Sequence, residues 1–189
     1  MKSAGMLKRL ILSQPGVVKL YFFIILTIII CGLPGTGKTF LANTLSKKIN
    51  AAVLSTDKIR KELFHKPTYS LWERSLIYDI MFLLAKYLNS AGINCILDGT
   101  FNQQRSRDEV IKKLNLKKKD LFIIECTCPE DIILSRLKDR KNDFSDANVS
   151  IYFKMKKIYE TVVENHLTID TSKSLEQNLA KIIQFISSK

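Results

Sequence analysis

The chain has 189 residues, the length of one domain, and a 46% apolar fraction that can fill a sizeable core, which excludes an intrinsically disordered chain. Its net charge of +12 favours acidic partners: phosphorylated metabolites, nucleotides or nucleic acid. The lysines are spread along the chain, and the densest clusters, Lys117-Lys118-Lys119 and Lys154 with Lys156-Lys157, have no aromatic between them to stack a base, so the charge also suits a solvated surface.

Leu20–Cys31, LYFFIILTIIIC, follows Lys2, Lys8 and Arg9 and so imitates an export signal. It spans twelve residues, short of the roughly 20 a helix needs to cross a bilayer. Cleavage behind it would cut into CGLPGTGKT, and no small-residue site precedes that stretch. Ile24–Cys31 is therefore predicted to be a parallel strand buried on both faces, which reads as continuously apolar. A cytoplasmic protein without a stable membrane span is expected. Residues 1–20 form an extension to which the sequence assigns no role, and 21–189 form the domain.

Strand and helix then alternate. A helix is predicted over Gly37–Ile49, with Phe40, Leu41, Leu45 and Ile49 inward, then a strand over 51–56. Asp57 opens a short helix to about Phe64, and Pro67 breaks the chain. Residues 70–90 form a long helix with Leu71, Leu76, Ile77, Ile80, Leu84 and Leu88 on its inner side. Strands follow at 92–100 and 121–127, separated by a helix over Arg105–Leu114. Pro129 starts a helix at its first position that runs to about Lys141. A polar loop leads to a helix over Asn148–Asn165 capped by Ser145 or Asp146, then a strand at 166–171 and a last helix at 174–187. Strands separated by helices imply right-handed crossovers, hence an α/β domain with three α/β/α layers around a five-stranded parallel sheet. Cys31, Cys95, Cys126 and Cys128 read as reduced residues, most of them in apolar strand-like runs, and their spacing from His65 and His166 does not suit zinc.

GLPGTGKT fits G-x-x-x-x-G-K-[ST] at Gly32, Gly37, Lys38 and Thr39. Gly32, Gly35 and Gly37 let the backbone curl so that its N–H groups, Thr36 among them, face phosphate oxygens. Lys38 would reach the β- and γ-phosphates and Thr39 would ligate Mg²⁺, so the stretch reads as a nucleoside triphosphate site.

Three further segments have two readings each. In STDKIRKEL, Asp57 is either a general base for an acceptor hydroxyl or a helix cap, and Arg60 either holds an anionic acceptor or belongs to a solvated face. In CILDGTF, Asp98 either takes the metal-side role behind Thr39 or satisfies turn amides, with Thr100 aimed at the acceptor in the first case. In ILSRLKDRKNDFSDA, Arg136 packs on the base and Arg140 swings onto the phosphoryl group from a short lid at about 139–148, or both pair with nearby carboxylates. Tyr69, Trp72, Arg74 and Tyr78 fall on the segment that would cover the acceptor side.

Together GLPGTGKT, STDKIRKEL, LDGTFNQQRSR, PEDIILSRLKDR and IDTS resemble the small P-loop predicted kinases, a group related to polynucleotide 5′-hydroxyl kinases, zeta toxins and chloramphenicol phosphotransferase. The resemblance covers nearly all of residues 24–189. It implies a nucleoside-monophosphate-kinase-like fold with strand order 2-3-1-4-5, and ATP with Mg²⁺ as cofactors. It implies Lys38, Asp57 and Arg140 as catalytic residues, with Asp57 the base. It also implies Arg60, Thr100 and a pocket-facing Arg107 on the substrate, and Asp98 beside the metal and Thr39. The apolar N-terminal extension and the short lid depart from the group. So does the lack of an appended second domain, which weighs against a polynucleotide acceptor. The expected activity is transfer of the γ-phosphoryl group to a hydroxyl or phosphate of a small molecule, an anionic one included, or of a nucleic-acid 5′ end. A nucleotide-gated binding module with slow ATPase activity is the rival.

Overall fold

The computed structural model describes residues 25–139 and 145–188. Five strands, β1 (Thr27–Cys31), β2 (Ala51–Ser55), β3 (Asn94–Asp98), β4 (Leu121–Thr127) and β5 (His166–Asp170), form one parallel sheet in the order β2-β3-β1-β4-β5. The helices are α1 (Lys38–Ile49), α2 (Thr56–Leu63), α3 (Leu71–Ser90), α4 (Gln104–Leu114), α5 (Glu130–Lys138), α6 (Val149–Lys157) and α7 (Leu175–Ser187). The expected three-layer α/β/α architecture and strand order are both present. Among the described residues no helix is long and apolar enough to cross a membrane.

Central position explains the composition of β1. It pairs with β3 on one side and β4 on the other, and all five of its residues are buried. Alternate side chains feed opposite cores. Ile28 and Ile30 pack with Leu41 and Leu45 of α1 and Ile182 of α7. Ile29 and Cys31 pack with Met81, Phe82 and Ala85 of α3 and Val110 of α4. A smaller cluster of Ile133, Leu137 and Tyr152 joins α5 to α6. All four cysteines are free thiols.

Several boundaries and faces differ from the sequence expectation. The buried face of α3 is Glu73, Ile77, Met81, Phe82 and Ala85, whereas Leu71 and Leu84 face solvent. With so many apolar residues in the helix, periodicity alone leaves its phase ambiguous. Phe40 is also exposed, at 65%. Asn148 caps α6 by accepting from Ile151 N–H at 3.0 Å, in place of Ser145 or Asp146. That helix stops at Lys157 rather than Asn165. Beyond it, β-branched Thr161-Val162-Val163 favours extended chain. Glu160 N–H donates to Asn102 O at 2.8 Å, and Val162 drops into the core.

Candidate active site

The phosphate loop leaves the C-terminal end of β1 and turns directly into α1. Gly32 has φ 135°, and a Cβ there would lie 2.4 Å from the Cys126 carbonyl oxygen, so no other residue fits. Gly37 precedes α1 with φ 79° and caps it without a side chain. The first-turn N–H groups and the positive end of the helix dipole thus face the loop rather than a capping side chain. Thr171 Oγ1 donates to Thr36 O at 2.7 Å, which ties the end of β5 to the loop. Lys38 Nζ donates to Leu33 O at 2.8 Å and so lies folded over the loop.

Asp98 ends β3, directly beside Ile30 of β1 in register. Its Oδ2 accepts from Thr39 Oγ1 at 2.8 Å, while Oδ1 is buried without a hydrogen-bond partner among the described residues. Burial pushes the Asp98 carboxyl above its ordinary value, against the lowering influence of Lys38 and Thr39. An orphaned carboxylate oxygen beside a threonine hydroxyl is a hard oxygen pair, and it fits Mg²⁺, which keeps most of its waters and phosphate oxygens.

The first turn of α2 carries Asp57, whose side chain is 33% exposed and accepts from Arg60 Nη1 at 3.0 Å. Arg60 is buried: its Nε lies 2.9 Å from Glu73 Oε1, and its guanidinium stacks over the Tyr69 ring at 4.6 Å. Glu73 Oε2 also accepts from Thr68 N–H, Thr68 Oγ1 and Tyr69 N–H. Those bonds hold Tyr69 at φ 56°, a left-handed conformation that a bulky residue rarely adopts. The Tyr69 hydroxyl reaches Asp146, which also pairs with Lys61. Sequence reading missed Glu73, although Ser70-x-x-Glu73 is a capping-box pattern that flags it. Ser70 Oγ accepts from Glu73 N–H at 3.2 Å, as that box requires. The Glu73 side chain then reaches past the cap to the two residues before it and across to α2.

Two cavities meet at the loop. One, of about 480 Å³, is lined by Lys38, Thr39, Asp57, Arg60, Asp98 and Thr100, with Arg74, Tyr78 and residues of α6 also in its lining. The other, of about 310 Å³, is lined by Gly37, Phe40, Arg136, Thr171 and Leu175. There Arg136 is locked by Nη1 to Thr171 Oγ1 and Nη2 to Thr171 O, both 3.1 Å, so its guanidinium plane is fixed. The exposed Phe40 stands on the same cavity, a position a flat ring could cover.

Arg107 does not face either cavity. It is 0% exposed and donates to Phe101 O at 2.8 Å, Thr161 O at 3.1 Å and Gln104 Oε1 at 2.9 Å, with Glu164 opposite Nε at 3.4 Å. It stitches the β3–α4 loop to the segment behind α6, so the expected pocket-facing role is corrected to an internal one. Trp72 is exposed and meets Phe64 edge-on at 6.4 Å, outside the cleft. Arg140 and the 140–144 half of the expected lid lie outside the described residues.

A phosphate loop on the central strand, a Thr–Asp pair beside it and a cleft over the sheet's C-terminal edge define a P-loop nucleotide-binding domain. The chain belongs to the AAA_33 family, described as an AAA domain, whose model matches residues 27–161. "Uncharacterized protein Rv2004c" of Mycobacterium tuberculosis and "Uncharacterized protein Mb2027c" of Mycobacterium bovis are each 26% identical over 132 residues, 64% of this chain and 26% of theirs. The chain thus spans about a quarter of the length of these curated relatives. A sugar kinase from Janibacter sp. HTCC2649 superposes with TM-score 0.70 at 14% identity, over 86% of this chain and 95% of that one. The Mycobacterium tuberculosis APS kinase CysC, solved with AMPPNP and APS, gives 0.68 at 19% identity, over 86% and 98%. A putative kinase from Chloroflexus aurantiacus gives 0.69 at 17% identity, over 89% and 99%. The fold is that of the small P-loop kinases.

Proposed function

We propose that the protein is an ATP-dependent kinase that transfers the γ-phosphoryl group to a hydroxyl of a small acceptor. One observation carries this reading: the partly exposed Asp57 carboxylate lines the same cleft as Lys38, Thr39 and Asp98. A carboxylate in reach of an acceptor, across from a phosphate loop, is what phosphoryl transfer to a hydroxyl requires and what nucleotide binding alone does not.

In this reading Asp57 takes the proton as the acceptor oxygen bonds to the γ-phosphorus, and the β–γ bridging oxygen leaves with ADP. Lys38 swings off the Leu33 carbonyl onto the β- and γ-phosphates. Arg140 meets the charge on the transferring group, and Arg136 and Phe40 flank the base. Thr39 and Asp98 would hold Mg²⁺, which when bound neutralises charge on the β- and γ-oxygens. Arg60 fixes the direction of the Asp57 carboxylate, and Thr100 lies toward the acceptor.

The test is transfer of label from γ-labelled ATP to a panel of 5′-hydroxyl oligonucleotides, nucleosides, nucleotides, sugars and small hydroxylated metabolites, with Lys38→Ala as the blank. Label on one acceptor class supports the kinase. Free phosphate alone, or tight ATP binding without turnover, supports a nucleotide-gated module instead.

A further inference from the structure

Charge pairing within the larger cleft leaves a surplus of cations. Arg60, expected from sequence to hold an anionic acceptor, is committed to Glu73, Asp57 and the Tyr69 ring. Lys38 is bonded to its own loop. Of the cleft carboxylates, Asp57 is paired with Arg60, Asp146 with Lys61 and Tyr69, and Asp98 with Thr39. Two cations on the cleft remain: Arg74 of α3, half-buried in the wall, and Lys154 of α6, exposed at the mouth. Among the described residues neither side chain has a hydrogen bond or an ion pair.

A solvated lysine needs no partner, and Lys154 alone would mean nothing. A half-buried arginine differs, because the hydration its side chain loses has to be offset by hydrogen bonds or an opposite charge. Arg74 and Lys154 also come from different elements and converge on one cavity, together with Tyr78, Ile151, Met155 and Ile158. A planar fork and an ammonium lining one cavity, with apolar side chains in the same lining, suit a phosphate or carboxylate on a compact organic body.

We propose that Arg74 and Lys154 form an anion subsite on the acceptor side of the cleft, so that the acceptor hydroxyl belongs to a molecule carrying a phosphate or a carboxylate. The word acceptor rests on the kinase reading above; the subsite does not, and its test needs no turnover. The full chain is first saturated with AMPPNP and Mg²⁺, so that the phosphate loop is filled. It is then titrated calorimetrically with millimolar inorganic phosphate and, separately, acetate. The variants are Arg74→Gln, Arg74→Lys, Lys154→Gln and, as a charge-matched distal control on α4, Lys112→Gln.

Saturable binding is expected in the wild type. Arg74→Gln should weaken it about tenfold, Lys154→Gln less, and Lys112→Gln not at all. Arg74→Lys, checked for fold by circular dichroism, should retain part of it and guards against a misfolded Gln variant. Preference for phosphate or for acetate separates the two ligand types. No binding once AMPPNP is present, or equal weakening by Arg74→Gln and Lys112→Gln, overturns the subsite. Failure of label transfer with this binding intact would strike only the kinase reading.

Discussion

Arg60 and Glu73 form a buried ion pair, Nε to Oε1 at 2.9 Å, that ties α2 to the start of α3. The other end of the same guanidinium holds Asp57 at 3.0 Å. Glu73 therefore orients the proposed base at one remove, through a residue that itself never needs to touch an acceptor.

Burial by itself would raise the Glu73 carboxyl, but hydrogen bonds from Thr68 and Tyr69 and the Arg60 charge outweigh it and hold it below its ordinary value. A depressed native value stabilises the fold above the unfolded value of about 4.5, and that stability is lost as pH falls through the native value. Glu73→Gln should thus be less stable than wild type at neutral pH, and the gap should narrow as pH drops below about 4.5. Urea unfolding of both proteins across this range measures it. A gap that is constant with pH would show that the carboxylate charge contributes nothing.

If Asp57 is the base, Asp57→Asn keeps the shape and removes the proton acceptor. Transfer should fall by about 10²–10⁴-fold while ATP affinity stays near wild type. Single-turnover transfer and equilibrium nucleotide binding, measured side by side, decide it. Wild-type turnover in the variant would remove Asp57 from the mechanism.

Asp98 backs Thr39 at 2.8 Å, so it should act on the metal rather than on the acceptor. In Asp98→Asn the Mg²⁺ concentration for half-maximal transfer should rise about 10–100-fold, as for other groups that orient a metal ligand. The KM for the acceptor should change little. A shift in acceptor KM with no shift in Mg²⁺ dependence would place Asp98 elsewhere in the mechanism.

Arg107 should behave as a structural residue. Removing it leaves Glu164 and four hydrogen-bond acceptors facing a void, so Arg107→Ala should cost about 3–5 kcal/mol in urea unfolding. Arg107→Lys, if it folds, should retain acceptor KM while its melting temperature drops. A raised KM with unchanged stability would restore the pocket-facing role.

Several of these outcomes turn on a contact between residues distant in sequence, such as Thr39 with Asp98 and Arg107 with Thr161. GLPGTGKT announces its loop because the glycine, lysine and threonine spacing is itself the geometry: positive φ at fixed offsets, then a helix. Likewise the unbroken apolar run of β1 states that the strand is covered on both faces. The phase of α3 was not legible, because apolar residues occur around most of that helix and only the sheet beneath it selects Ile77, Met81 and Ala85. The end of α6 was not legible either, because Glu160 leaves the helix to meet the Asn102 carbonyl, a partner on another loop.

The amino-acid sequence alone determined the order of strands and helices, the layered architecture and the phosphate loop, since all three follow from short-range periodicity and backbone geometry. Only the tertiary structure decided which charges are already taken. Arg60 looked available and is held by Glu73. Arg107 looked like a pocket residue and is sealed inside. Arg74 was one of four residues on the segment expected to cover the acceptor side, and it stands on the cleft with no side-chain partner among the described residues. A charge's identity is written in the chain, but its partner is set by which distant segments fold against it, and in a site of this kind the partner decides whether a cation binds substrate or holds the fold.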